Sequence, residues 1–430
     1  MSLLIKNIGQ LAQIRETAPK WVAGKEMANL PSLSNAFLSV NERSDDSECI
    51  SSWGEMVNCP TSADTVIDAK GGIVLPSWCD SHTHIVYATS REAEFVDRIK
   101  GRSYEEIAEN GGGILNSARK LEVCSEDDLF ESAKARLFEV IGYGTGAIEI
   151  KSGYGLTVDA EIKMLRVIKR LKAISPIPIK ANFLGAHAIP LLYKERRSEY
   201  IDLLINEMLP IIIEENLADY IDVFCDRGFY TVEETDRILK AGAAVGLRAK
   251  IHANELDYSG GVQVGVKNNA LSVDHLECVG QEEIDALLFS ETMPTILPST
   301  AFFLGLEYAP ARKMIDAGLP VALATDYNPG STPSGRFPFV LSLACLKMDM
   351  LPEEAINAMT INSAYAMDLG AEHGSITKGK IANLIITKPV SSLAFLPYAF
   401  GTDWIDRVIL NGKVVETRHA LSARSAPITQ

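Results

Sequence analysis

Two histidines separated by a single residue, His82 and His84, follow an apolar run that ends at Asp80. Alternate side chains on an extended strand point to the same side, so both imidazoles can bind one metal ion. The pair alone is a weak signal, because a packed or solvated pair is roughly as common. The other histidines strengthen it: five of the seven stand at or just past the ends of short apolar runs, and Asp326 does the same. Those five are His82, His84, His187, His252 and His275.

Four of these residues form a candidate metal site. Three imidazoles and one carboxylate supply nitrogen and oxygen donors that suit one Zn or Fe ion per chain, and they leave a coordination position for water. Such an ion lowers the pKa of its bound water toward neutrality, and a nearby carboxylate or imidazole can accept the second proton. Asp326 and His275 are the candidates for that proton. The predicted ligands are His82, His84, His252 and Asp326.

Eight short β-rich runs carry these residues and alternate with helical patterns such as 161–172 and 200–217. A (β/α)8 barrel has this order and places its catalytic residues at the carboxyl ends of the strands. Taken alone, Asp326 would be a turn residue before Pro329, but its position after the eighth run favours the metal site. The sequence therefore predicts a barrel of the metal-dependent hydrolase type. Its expected strands are 73–75, 146–150, 177–184, 220–225, 247–251, 271–273, 292–297 and 321–325.

The 430 residues exceed a bare barrel, and the surplus lies at both ends of the chain. Both ends contain strand-like pieces, and Asn411-Gly412 marks a hairpin in the tail. We predict that residues 1–76 and 372–430 pair into one small β-sandwich domain beside a catalytic barrel of residues 77–371. The strand-like pieces are 3–8, 66–69, 384–387, 407–410 and 413–415.

The formal net charge of −15 disfavours nucleic acids and anionic membranes as partners. An anionic small-molecule substrate would then need a local cation. Seven cysteines without paired spacing favour a reducing compartment over a disulfide framework. The sequence shows neither a signal-peptide pattern nor an apolar run long enough to span a bilayer. These features predict a soluble, cytoplasmic protein.

Longer sequence blocks around the candidate residues carry a family resemblance. The block Asp80-Ser81-His82-Thr83-His84, together with His252, His275 and Asp326, resembles the amidohydrolase superfamily in its single-metal form. Further blocks narrow the resemblance to the imidazolonepropionase family, and the most specific of these blocks are 149–156 and 324–331. The further blocks are Ser90-Arg91-Glu92, 111–114, 149–156, Gly185-Ala186-His187, 250–255 and 324–331.

The resemblance implies a function. Enzymes of this family hydrolyse the cyclic amide of 4-imidazolone-5-propanoate to N-formimidoyl-L-glutamate in histidine degradation, and they use one metal ion. It also implies a homodimer. A second hypothesis on the same scaffold is a hydrolase of another cyclic amide or amidine, such as a nucleobase deaminase. A third is a catalytically silent metal-binding scaffold, which the complete ligand set together with His275 and Glu255 disfavours.

The resemblance also implies roles for individual residues. Arg91 would bind the propanoate carboxylate, although a surface ion pair with Glu92 or Glu94 is the ordinary role of an arginine there. Tyr154 would donate a hydroxyl hydrogen bond to the same carboxylate or to the product. His187 would polarise the ring carbonyl or orient the ring, and Glu255 would receive a ring N–H and transfer a proton. Donors in the segment after Asp326 would hold the far end of the substrate, namely Asn328, Gly330 and Ser331.

Two further features have simpler interpretations. Lys151 resembles the carbamylated lysines of two-metal amidohydrolases, but it follows the second strand, and the single-metal resemblance favours a structural role. The glycine run 111–113 lacks the Lys-Ser/Thr of a phosphate-binding loop and predicts a flexible loop or lid near the site.

Overall fold

The computed structural model describes residues 2–42, 47–102, 106 and 113–415. Its strands form two separate sheets, one built from both chain ends and one built from the middle of the chain. The strands are β1 (Ser2–Ala12), β2 (Ser32–Glu42), β3 (Glu48–Glu55), β4 (Thr65–Asp68), β5 (Ile73–Pro76), β6 (Trp78–Asp80), β7 (Thr145–Lys151), β8 (Ile179–Ala186), β9 (Tyr220–Cys225), β10 (Arg248–Ala253), β11 (Ser272–His275), β12 (Met293–Ile296), β13 (Ala322–Leu323), β14 (Leu384–Thr387), β15 (Ile405–Leu410) and β16 (Lys413–Val415).

The central sheet is the predicted barrel. Strands β6 to β13 lie in chain order and are all parallel. Contacts just beyond the first and last strands bring its two edges together. Thr83 and Tyr327 form a parallel bridge, and the Asp326 amide donates to the His82 carbonyl oxygen at 3.0 Å. The closure therefore joins two of the predicted metal-ligand segments directly.

The α-helices lie mostly between the strands, and polar caps begin several of them. Thr231 and Glu234 form a capping box at one such start, and the helix that follows buries Ile238 and Leu239. The described α-helices are Glu92–Ile99, Gly113–Val123, Glu126–Gly142, Val158–Ile174, Arg197–Leu203, Leu209–Glu214, Val232–Ala244, Gly261–Lys267, Gln281–Leu288, Pro298–Leu304, Ala311–Asp316, Phe337–Lys347, Pro352–Asn357, Ser363–Tyr365 and Phe395–Tyr398.

The second sheet has the order β16-β15-β14-β5-β1-β2-β3, with β4 paired to β1. Strand β14 from the tail pairs antiparallel with β5 from the first part of the chain. The predicted β unit built from both chain ends is thus confirmed. Its apolar side chains, among them Ile5, Leu38 and Ile386, form a buried cluster. The domain limits at 76/77 and 371/372 stay a prediction.

The first barrel strand differs from the prediction. Residues 73–75 belong to β5 in the second sheet, and the barrel begins instead with the three-residue strand β6. The Ser77 amide still donates to Asn383, but the next amide, of Trp78, donates to Gly144 in the barrel. Both strands are buried although they belong to different sheets. The sequence pattern therefore does not mark the point where the chain passes from one sheet to the other.

Two other expectations concern the surroundings of these sheets. The glycine run predicted to act as a lid lies outside the described residues except for Gly113, which begins a helix. Within the described part of the chain, the structure holds no helix that is both long enough and apolar enough to cross a membrane.

Candidate metal centre and active site

Three histidine side chains meet at the carboxyl end of the barrel. His82 and His84 follow β6, His252 lies in β10, and one potential ligand atom from each lies within 4.8 Å of the others. Asp326, just past β13, brings its Oδ1 to 3.5 Å from His82 Nε2 and 3.6 Å from His84 Nε2. Ligand atoms around a tetrahedral ion at 2.0–2.1 Å are about 3.4 Å apart, so these spacings suit a metal ion.

The hydrogen bonds behind the histidines fix their tautomers. His82 Nδ1 donates to Asp274 Oδ2 at 2.7 Å, and His252 Nδ1 donates to Asp222 Oδ1 at 3.0 Å. A carboxylate only accepts, so each Nε2 keeps its lone pair. Both Nε2 atoms are buried and have no hydrogen-bond partner among the described residues. Such buried, unpartnered nitrogens fit a metal ion.

Burial and the neighbouring charges favour a neutral His82 ring and an ionised Asp222 carboxylate. Burial, followed by the positive charge of Lys151, lowers the pKa of His82, so the ring is neutral and can act as a ligand. Burial alone would raise the pKa of Asp222, but Lys151 and His252 outweigh it and hold that pKa well below its usual value. Asp326 is also fixed in place, since its Oδ2 accepts from Thr300 Oγ1 at 2.6 Å.

Beside the metal cluster lie His275 and two largely buried carboxyl groups. His275 Nδ1 is 3.6 Å from Glu255 Oε2 and 3.9 Å from Glu277 Oε2. Burial, and then the negative charge of Asp326, raises the pKa of Glu255. The backbone at His275 and Leu276 has φ angles of 87° and 68°, a left-handed conformation that costs energy in residues with a Cβ. This turn brings both the imidazole and Glu277 to one place.

Arg91 lies at the other side of the cleft. Its Nε donates to Ser117 Oγ at 2.9 Å, and the nearest carboxylate oxygen, of Glu94, is 3.9 Å away. Its Nη2 is buried and has no hydrogen-bond partner among the residues described. The guanidinium also lies 5.8 Å from the ring centre of Tyr154. Arg91 therefore has a buried donor that neither Ser117 nor Glu94 engages.

Gly330 makes room for this guanidinium. A Cβ on Gly330 would lie 2.6 Å from Arg91 Nη1, and no left-handed backbone angle forbids a side chain there. Gly330→Ala should therefore fold normally but displace Arg91, and we expect a roughly tenfold rise in KM, equivalent to about 1.4 kcal/mol. Steady-state kinetics on metal-quantified protein would measure it. Gly401→Ala is the control, because nothing lies within 4 Å of a Cβ there; equal KM values in both variants would contradict the packing argument.

Tyr154 and His187 face the same cleft. Gly153, with φ of 110°, leaves no room for a Cβ, which would lie 2.8 Å from His187 Nδ1. That nitrogen donates to the Gly153 carbonyl oxygen at 3.1 Å, so His187 Nε2 is an acceptor when the ring is neutral. Burial lowers the pKa of His187 to about 3 and keeps the ring neutral. Buried Glu161 holds the loop by accepting from the amides of Gly153, Gly155 and Leu156.

The segment after Asp326 is held mainly by its own hydrogen bonds. Asn328 Oδ1 accepts from the amides of Gly330 and Ser331 at 2.7 and 2.8 Å. Asn328 Nδ2 donates to the Asp326 carbonyl oxygen at 2.7 Å and to Ser331 Oγ at 2.7 Å. The segment therefore presents a fixed shape to the cleft, and its use in substrate binding stays a prediction.

The structure brings all predicted site residues to one place. A cleft of about 170 Å³, partly open to solvent, has the metal cluster at its base, and His82 is the one predicted ligand that does not line it. Its lining includes every other candidate, together with Arg98, Ile114, Phe224, Phe229 and Leu304, which the sequence did not indicate. The predicted residues that line it are His84, Arg91, Tyr154, His187, His252, Glu255, His275, Asp326, Asn328, Gly330 and Ser331.

Comparisons with known proteins agree with this geometry. The model of the amidohydrolase family matches residues 73–415. An imidazolonepropionase of Flavobacterium johnsoniae is 59% identical over 416 residues, which cover 96% of this chain and all of the relative. The chain belongs to the imidazolonepropionase branch of the amidohydrolase family. A more distant member, from Alkaliphilus oremlandii, is 42% identical over 96% of this chain and 97% of its own length. This amidohydrolase is therefore an enzyme, a hydrolase.

Solved structures of other amidohydrolases share the fold. A 5-methylcytosine deaminase from Klebsiella pneumoniae has a TM-score of 0.73 at 16% identity, covering 96% of this chain and 97% of its own. An atrazine chlorohydrolase variant from Arthrobacter aurescens, complexed with zinc and atraton, has a TM-score of 0.68 at 17% identity, covering 98% of both chains. At this level of identity the likeness extends to the barrel and its accompanying sheet, and not to the substrate.

Several residues of this amidohydrolase site escaped the sequence interpretation. Ser117 and Arg98 lie on helices far in sequence from the strand ends, and nothing in their surroundings distinguishes them. The buried polar residues behind the histidines did leave a signal, because they interrupt apolar strands at alternate positions and so point into the barrel. They are Glu149, Lys151, Asp222, Lys250 and Asp274.

Proposed function

We propose that the enzyme hydrolyses the ring amide of 4-imidazolone-5-propanoate and releases N-formimidoyl-L-glutamate, a step of histidine degradation. The name and high identity of its relatives over the whole chain support this substrate. The observation that carries the proposal is the buried donor of Arg91 in a cleft whose base holds the metal cluster. A substrate with a carboxylate at one end and a cyclic amide at the other suits such a cleft.

The metal in this proposal is one Zn or Fe ion per chain, held by His82, His84, His252 and Asp326. Neutral imidazoles and a carboxylate are donors that both metals accept. When bound, such an ion lowers the pKa of a water molecule and polarises the carbonyl under attack. The protein residues then have three tasks, which are to hold the carboxylate, to orient the ring and to move protons.

Arg91 and Tyr154 take the first task. The propanoate group accepts hydrogen bonds from Arg91, whose Nε contact with Ser117 leaves the outer nitrogens for the substrate. Tyr154 lies between this end and the metal ligands, since its ring centre is 5.7 Å from that of His84.

His187 takes the second task, and its hydrogen bond to Gly153 favours orienting the ring over polarising the carbonyl. Polarising the carbonyl requires a donor at Nε2, but the bond from Nδ1 to Gly153 makes the neutral ring an acceptor there. The lowered pKa of His187 disfavours the doubly protonated ring. We therefore assign His187 to accepting a ring N–H and fixing the orientation of the ring.

Glu255 and His275 take the third task. Glu255 donates its carboxyl proton to the departing ring nitrogen, and it regains a proton from the water that adds to the carbonyl. The imidazole of His275, 3.6 Å from Glu255, supports this transfer together with Asp326. The segment Asn328, Gly330 and Ser331 closes the far side of the substrate.

Replacing Arg91 tests the carboxylate assignment. Arg91→Met should weaken substrate binding by about 2–4 kcal/mol, since one partner of a mostly desolvated charge pair is lost. This corresponds to a rise in KM of roughly 30-fold to 1000-fold, with metal content unchanged. Arg102→Met is a suitable control, because Arg102 pairs with Asp97 and is 43% exposed. An unchanged KM in Arg91→Met would refute the assignment.

One experiment separates the proposed substrate from the alternatives. Purified, metal-quantified protein is mixed with 4-imidazolone-5-propanoate, with the same ring lacking the propanoate group, and with cytosine and adenine. Loss of imidazolone absorbance for the first compound alone supports the proposal. Equal turnover of the ring without propanoate would point to another cyclic-amide hydrolase, ammonia release from a nucleobase to a deaminase, and no turnover of any compound to a silent scaffold.

We also propose a cytoplasmic location and a homodimer. All seven cysteines are free in the structure, which suits a reducing compartment. The homodimer rests on the family resemblance, and size-exclusion chromatography with light scattering would test it. The two-part division at residues 76/77 and 371/372 is likewise a proposal, and limited proteolysis would test it.

A further inference from the structure

A group of charged side chains fills the barrel beneath the metal cluster. Lys151 Nζ donates to Glu149 Oε1 at 2.6 Å and to Asp222 Oδ2 at 2.7 Å, and it lies 3.5 Å from Asp274 Oδ2. Lys250 donates to the other oxygen of Glu149. All five side chains are fully buried, and they come from four strands of the barrel, β7, β9, β10 and β11.

We propose that Lys151 is a positioning residue for the metal site, acting through Asp222 and Asp274. The inference rests on the proposed metal ligands and adds a residue to their support. Asp222 receives the Nδ1 hydrogen of His252, and Asp274 receives that of His82. One ammonium group thereby fixes two imidazoles that come from strands four positions apart in the sheet order.

The physical reason lies in what two buried carboxylates need. Each must stay close to its imidazole so that Nδ1 keeps the hydrogen and Nε2 faces the metal. Without a cation between them, the two like charges repel each other in a medium that screens poorly. Lys151 supplies three donors, and the three nearest acceptors are all carboxylate oxygens. As an ammonium group that donates to carboxylates, Nζ has no free lone pair for carbamylation.

Lys151 is thus distinguished from a lysine that only stabilises the fold. Lys380 provides the comparison within the same chain. It is also buried, but its Nζ donates to the carbonyl oxygens of Gly370 and His373 at 2.8 and 2.6 Å, and it contacts neither metal ligands nor their carboxylates. Loss of either ammonium removes a buried charge, whereas only loss of Lys151 should affect the histidines.

The test measures metal binding directly. Lys151→Met and Lys380→Met are purified, stripped with a chelator, checked by circular dichroism and dialysed against buffered Zn²⁺. We expect a dissociation constant for Zn²⁺ that is roughly 10-fold to 100-fold higher in Lys151→Met and unchanged in Lys380→Met. The visible spectrum of the Co²⁺-loaded protein should also change in Lys151→Met only, since this spectrum reports the ligand geometry.

Two outcomes would overturn the inference: a folded Lys151→Met that binds Zn²⁺ as tightly as the parent, or equal weakening in both lysine variants. If Lys151→Met does not fold, Asp222→Asn and Asp274→Asn decide instead, and unchanged Zn²⁺ affinity in both would overturn it. The parent enzyme is assayed with 4-imidazolone-5-propanoate in parallel. Turnover by the parent with normal metal binding in the variants would reject this inference alone, whereas absence of turnover by the parent would reject the proposed function.

Discussion

His252→Ala should lose both its metal and its activity. The variant removes one of three clustered imidazoles, and it also leaves Asp222 without the hydrogen bond that it accepts from His252 Nδ1. Because the neighbouring imidazoles of His187 and His275 lie outside the three-histidine cluster, metal content should fall from about one ion to below roughly one tenth per chain. Elemental analysis and the substrate assay would measure the two losses on the same sample.

His187→Ala is the matched control for this variant. Its ring lines the same cleft and lies 5.8 Å from the ring centre of His252, but its Nδ1 is committed to Gly153. It should keep its metal while turnover falls. A His252→Ala protein that retains stoichiometric metal would show that the ligand set is wrong, and loss of metal from His187→Ala would add that residue to it.

The barrel could be predicted from the sequence because its strands are short apolar runs separated by helical patterns. Seven of the eight predicted runs overlap barrel strands, and 220–225 coincides with β9. The prediction failed where two sheets meet, since β5 and β6 are separated only by Ser77 and both are buried. Periodicity reports burial and direction, and it does not report which neighbour a strand will pair with.

The site could be predicted where its residues lie at the carboxyl ends of the barrel strands, because catalytic residues of such barrels lie there. This rule identifies His82, His252 and Asp326 without any knowledge of contacts. It does not reach Ser117, which orients Arg91 from a separate helix, because a contact across 26 residues of unremarkable sequence leaves no pattern. Nor does it reach Glu277, whose carboxyl group lies near His275 because the backbone takes left-handed angles at His275 and Leu276.

The second large effect is expected for proton transfer. Glu255→Gln keeps the shape of the side chain but removes the carboxyl proton, so the metal should stay and turnover should fall by roughly two to four orders of magnitude. His275→Ala should behave similarly, since its imidazole is 3.6 Å from Glu255. If both act on one proton path, the double variant should lose less than the sum of the two losses. Single-turnover rates at full metal occupancy would measure these effects.

The pH dependence gives a second measurement of the same role. Burial and then Asp326 raise the pKa of Glu255, so in the structure the carboxyl group holds its proton near neutrality and can donate it to the ring nitrogen. The rate of the parent enzyme should therefore fall as pH rises through that pKa, and a bound divalent cation moves this fall to lower pH because it favours the carboxylate. The residual activity of Glu255→Gln should lack the fall, since the amide does not titrate. Near-normal turnover in Glu255→Gln, or the same fall with pH in both proteins, would transfer the role to Asp326 and His275.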